Sequence, residues 1–125
     1  MTAVAMVFGL VAGVLHVGFW LMEAVWWRQP RIWKQFGARS QDDADTMAFG
    51  MLNQGYYNLF LGLGAIVGAI LVVTGIAGRT ILLGYSCLFM LGAAVVLVGA
   101  RRTMLRAALI QGGPPAIALI SLLFV

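Results

Sequence analysis

The stretch "MAFGMLNQGYYNLFLGLGAIVGAILVV", Met47 to Val73, decides how this chain is read. Between Asn53 and Asn58 it sets two asparagines, a glutamine and two tyrosines inside a run that is otherwise oily. Crossing hydrocarbon takes about 20 mostly apolar residues in a helix. The run is long enough even with its amides, and it then carries polar groups to membrane depth, where each needs a partner or a purpose.

The rest of the sequence follows the same pattern. Hydrophobic residues make up 62% of the chain and charged residues only 10%, whereas a soluble domain carries about 25% charged residues. Thr2 to Trp26, Thr80 to Gly99 and Leu105 to Val125 are also long and apolar enough to span, and almost nothing remains for a soluble domain. The expectation is an all-α, polytopic membrane protein. Residues 1–125 form one antiparallel bundle of four transmembrane helices, over about 2–26, 47–73, 80–99 and 105–125, with a short interfacial segment after the first. The first span has no basic stretch before it and no small-x-small cleavage site after it, so it reads as a retained helix. Cys87, the sole cysteine, leaves no internal disulfide and no cysteine-cluster metal site.

Short loops rich in Lys and Arg stay on the cytoplasmic side. The first connection carries Arg28, Arg31, Lys34 and Arg39, the third carries Arg101, Arg102 and Arg106, and the second has only Arg79. Seven basic residues against one put the first and third loops inside and both termini outside an inner (plasma) membrane. The same residues account for the net charge of +4, so the expected partner is the lipid bilayer and not nucleic acid.

The first loop interleaves Trp26, Trp27 and Trp33 with Arg28, Arg31 and Lys34. Indole rings favour the headgroup level and long basic side chains snorkel from it. This composition predicts a membrane-anchoring collar, or more sharply a lid or headgroup site. After it, Asp42, Asp43, Asp45 and Thr46 suit the positive N-terminus of the second helix.

In the first span His16, Trp20, Glu23 and Trp27 recur at helical spacing and share one face. With Trp27 and Thr46 as boundaries, Glu23 lies about 6 Å deep and His16 about 16 Å; Asn53 and Gln54 lie about 10 to 12 Å and Tyr57 and Asn58 about 16 to 18 Å. Asn53 and Tyr57 form one pair on the second helix, facing the His16 and Glu23 stripe. Gln54 and Asn58 form another, facing the fourth span. There, Gly112, Gly113, Pro114 and Pro115 predict a helix break, with Gln111 about 9 Å deep. Broken helices at depth are tolerated beside cavities and mark binding sites in transporters. In the third span Gly92, Ala93 and Gly99 form a seam suited to close packing.

Each polar residue also has a plainer reading. Glu23 can pair with Arg28 or with boundary indoles, His16 can be a hydrogen-bonded core histidine, and the amides can be interhelical glue worth about 0.6 to 2 kcal/mol per bond. A single histidine and no attachment motif give no haem site, no cofactor is expected, and Ser86 and Ser121 lack a base, so catalysis is not expected.

The segments "HVGFWLMEAVWWRQPRIWKQFG", "NQGYYN" and "QGGPPA" resemble the small bacterial membrane proteins grouped as domain of unknown function 1304. The matching positions are His16, Glu23, Trp27, Pro30, Phe36, Gly37, Asn53, Gln54, Gly55, Tyr57, Asn58, Gln111, Gly112 and Pro114. Pro115 departs from that family's single proline. The resemblance implies a four-helix integral membrane protein and no defined activity. The leading expectation from the residues is a small-ligand pocket on the cytoplasmic side, with transport or proton coupling through Glu23 and His16 as its extension. The alternative is an accessory or structural subunit of a larger membrane complex; a homo-oligomer is a separate expectation about partners and would count against that alternative. Small multidrug exporters share four helices and a helix-one glutamate, but their dual insertion needs balanced loop charge.

Overall fold

A computed structural model describes residues 1–125. Helix α1 runs Thr2–Trp20 and continues through a π-helical turn, Leu21–Val25. A short helix α2, Pro30–Trp33, passes into a 3₁₀ turn, Lys34–Phe36. Then come α3, Gln41–Leu71, α4, Ile81–Ala100, and α5, Leu105–Leu122, preceded by the 3₁₀ turn Arg102–Met104. There are no strands, and α1 with its π turn, α3, α4 and α5 are each long and apolar enough to cross a membrane.

The four long helices close into a ring. α1 packs on α3 and α5, and α4 packs on α3 and α5, while α1 and α4 barely touch across the middle. Glycines set how closely α1 and α3 approach. A Cβ on Gly62 would stand 2.8 Å from the Gly13 carbonyl oxygen, and one on Gly13 would stand 2.8 Å from that of Gly62. The two backbones therefore meet with nothing between them, as small residues permit where water supplies no hydrophobic drive. At the same end of the bundle Ala5, Ala69, Val72, Leu83, Cys87 and Ala118 form a dense, fully buried cluster.

At the other end the loops make a cap. Trp27 and Trp33 are buried with Ile32, Ala38, Ala44 and Met51, and the Trp27 indole donates to the Ala44 carbonyl at 2.9 Å. The collar reading is therefore corrected for these two rings, which pack inside protein; Trp26, Arg28, Arg31 and Lys34 remain exposed. Gly37, at φ 88°, reverses the chain in the left-handed region. Its amide reaches the Lys34 carbonyl and that of Ala38 reaches Trp33, the paired closure of a Schellman motif.

Two expected boundaries move. α3 begins at Gln41, ahead of Met47, because Ser40 accepts from the Asp43 amide at 3.1 Å while the Asp43 carboxylate accepts from the Arg39 amide at 2.9 Å. Thr46 lies inside the helix and donates back to the Asp42 carbonyl. At about 1.5 Å per residue α3 is about 46 Å long, more than a hydrocarbon core about 30 Å thick requires.

The helix break expected at Gly112, Gly113, Pro114 and Pro115 is also corrected. α5 keeps helical geometry through both prolines. A proline fixes φ near its helical value, so what it removes here is a donor: the carbonyls of Ile110 and Gln111 lose their usual i+4 partners. Gly112 keeps α5 against α4, where an added Cβ would meet that of Ala94 at 2.7 Å.

Candidate functional site

The π turn determines where Glu23 points. Its wider hydrogen bond, from the Trp26 amide to the Leu21 carbonyl at 2.7 Å, inserts an extra residue into the helical repeat. Such turns rotate the following side chains out of an α-helical register and recur at functional sites. Glu23 is only 3% exposed. The face predicted from His16 through Trp27 consequently ends at Glu23, and Trp27 belongs to the cap.

Across from it, Gly55 lets α3 approach. A Cβ there would meet those of Glu23 and Ala24 at 3.1 Å each. With that gap closed, the Gln54 side-chain amide donates to one Glu23 carboxylate oxygen at 3.1 Å and the Asn58 amide donates to the other at 2.7 Å. No ion pair joins Glu23 to Arg28; two neutral amides partner it instead, one on each carboxyl oxygen.

This pairing reverses the expected division of labour on α3. Gln54 and Asn58 face α1, and they could not have met α5, which lies diagonally opposite in the ring. Asn53 is exposed and is not one of the residues that border the cavity between the four long helices. The depth offset estimated between Glu23 and Asn58 also disappears. Trp27 and Thr46 are not level with each other: Glu23 and Ala24 lie against Gly55, more than two helical turns beyond Thr46 along α3.

Glu23, Gln54 and Asn58 form part of the wall of a cavity of about 1070 Å³ among α1, α3, α4 and α5. His16, Tyr57 and Gln111 also border it, so six of the eight predicted polar residues come together. Trp20 does not; its ring packs edge-on against Tyr56 at 6.1 Å, and its buried indole N–H has no partner in the chain. His16 is 1% exposed and its Nδ1 lies 2.9 Å from the Ala12 carbonyl. A carbonyl only accepts, so Nδ1 carries the proton of that bond and Nε2 is left as an acceptor in the neutral ring.

Several cavity residues carried no usable sequence signal. Gln35 and Phe36, from the turn before Gly37, border the cavity and tie it to the cap, where Phe36 meets Trp27 edge-on at 5.5 Å. Met22, Met90 and Met104 supply adaptable apolar wall. The small residues of α4 act against expectation. Gly92 and Gly99 have no neighbour within 4 Å of an added Cβ, and Gly92 and Ala93 border the cavity. They make room instead of making contact. No Lys or Arg lines the cavity, and no cluster of His, Cys, Asp or Glu anywhere in the chain is placed to hold a metal.

The family described as a protein of unknown function (DUF1304) has a model that matches residues 10–123. The chain belongs to that family. No curated protein and no solved structure matches it.

Proposed function

We propose that this member of the DUF1304 family is a ligand-binding protein of the inner membrane, and that Glu23 is the group its ligand engages. The observation that carries this reading is a buried carboxylate, held by Gln54 and Asn58 and unpaired with any cation, at the wall of a cavity of about 1070 Å³. Interhelical glue alone would need no such space. Membrane helices gain from close packing, and an open cleft of that size between them forgoes it. Sites for drug-sized ligands run to about 1,000 Å³ with a few convergent polar groups in an apolar wall, which describes this cavity.

The seven-to-one loop charge supports placing the capped end in the cytoplasm and both termini outside. In that orientation the cavity faces inward, and the packed cluster around Leu83 closes the outer end. Native mass spectrometry of protein extracted in mild detergent tests the reading. The wild type is expected to retain a bound small molecule of defined mass that Glu23→Gln loses. Adducts identical in both would overturn it.

A further inference from the structure

The polar groups that hold Glu23 have a sign, while Tyr57 and Gln111, elsewhere on the cavity wall, can donate as well as accept. Gln54 and Asn58 each turn an amide nitrogen to Glu23, which leaves their carbonyl oxygens as free acceptors. His16, with its Nδ1 hydrogen on Ala12, offers Nε2 as another acceptor. Gln54 and Asn58 flank the Glu23 carboxyl group, His16 borders the same space, and no Lys or Arg does. A ligand that donates hydrogen bonds and carries positive charge satisfies this wall; a phosphate or sulfate would meet it as an uncompensated like charge.

A second observation concerns shape. A groove of about 280 Å³ lies on the flank between α3 and α4, and Phe60, Leu61, Gly64, Leu82 and Ser86 border it. Tyr57, Leu61 and Phe89 border both groove and cavity, so the two adjoin. Tyr57, Phe60 and Phe89 are exposed on the outer face of the bundle, where lipid would lie. From Tyr57 to Gly64 the groove runs about 10 Å along α3, the reach of a medium alkyl chain. Beyond it, Gly68 lies against the backbone of Leu83 and closes α3 on α4.

We propose that the ligand is a single-chain amphiphile with an ammonium head, entering sideways between α3 and α4. Its head sits against Glu23 and its chain lies along the groove toward Leu82. This rests on the ligand-pocket reading and specifies the ligand's chemistry. A two-chain phospholipid with the same ammonium is disfavoured, because its phosphate would find no cation in the cavity.

The test uses the full chain in an uncharged detergent and, as probe, decylamine carrying a photoreactive diazirine at its chain end. Mass spectrometry of the cross-linked protein is expected to place the label on Phe60, Leu82 or Ser86. Unlabelled decylamine should compete, and decyl sulfate should not. Glu23→Gln should weaken labelling at least about tenfold. Leu82→Trp, a change at an exposed groove residue, should displace the label while the protein still folds. Labelling scattered over α1 and α5, or competed equally by decyl sulfate, overturns the proposal. Competition by phosphatidylethanolamine vesicles as effective as decylamine overturns the single-chain assignment. Glu23-dependent competition by propylamine without groove labelling overturns the amphiphile and leaves the pocket standing.

Discussion

The side-chain amide of Asn58 lies 2.7 Å from the carboxylate of Glu23, a residue 35 positions earlier in the chain. That bond joins the π turn at the end of α1 to the middle of α3, and it fixes the wall of the cavity. Removing Asn58 leaves one oxygen of the buried Glu23 carboxyl group unsatisfied, which costs about 1–3 kcal/mol. Asn58→Leu is therefore expected to destabilise the protein by that amount. A double-mutant cycle with Glu23→Leu should return a coupling of about 1–2 kcal/mol, measured by thermal or denaturant unfolding in detergent. Additive effects would mean that the pair does not interact.

The contact between Gly13 and Gly62 predicts strong intolerance. An added Cβ at either position meets backbone oxygen at 2.8 Å, and backbone cannot swing aside. Gly62→Leu is expected to cost at least about 1–3 kcal/mol, the usual range for overpacking, seen as a lowered unfolding temperature. Gly113→Ala is the control. No atom lies within 4 Å of the added Cβ and the position is helical, so stability should hold or rise slightly.

Ser40 caps α3 through the Asp43 amide. Ser40→Ala is expected to cost about 1 kcal/mol and to fray the first turns of the helix. Hydrogen exchange at Asp42 to Asp45 should rise, with no change near Asn58. Equal protection in both proteins would show that the cap adds nothing.

The orientation is checked by reporters active on only one side of the membrane. Fusions at the N- and C-termini should both report the outside, and one inserted at Arg39 should report the inside. Equal signals from the two sides at one position would contradict the loop-charge argument.

Hydropathy carried the four spans, because a long apolar run has few other places to go. Residue type carried most of the cavity: His16, Glu23, Gln54, Tyr57, Asn58 and Gln111 stand out as polar groups in oily helices, and the structure draws all six to one space. Which of them would touch was not legible. The π turn at Leu21–Val25 changes the helical repeat by one residue, and nothing local in its sequence demands it. Nor does a single sequence state the order of helices around the ring, which decides that Gln54 turns to α1 instead of α5. The start of α3 was legible, in the Ser40 and Asp43 spacing of a capping pair, but the apolar boundary at Met47 hid it. In α5 the prolines were a sound sign of lost hydrogen bonds and a poor sign of lost helix, since neighbouring packing at Gly112 holds the geometry.

The most direct test of the cavity at Glu23 as a ligand site is thermal unfolding of the purified protein against a panel of metabolites, amines and lipids. A ligand present at about one hundred times its Kd stabilises the native state by about 2.7 kcal/mol. The expected result is a raised unfolding temperature for wild type and for Asn53→Ala, whose side chain is exposed away from the cavity, with the shift lost in Glu23→Gln. A shift that survives Glu23→Gln unchanged, or that is lost equally in Asn53→Ala, would contradict it.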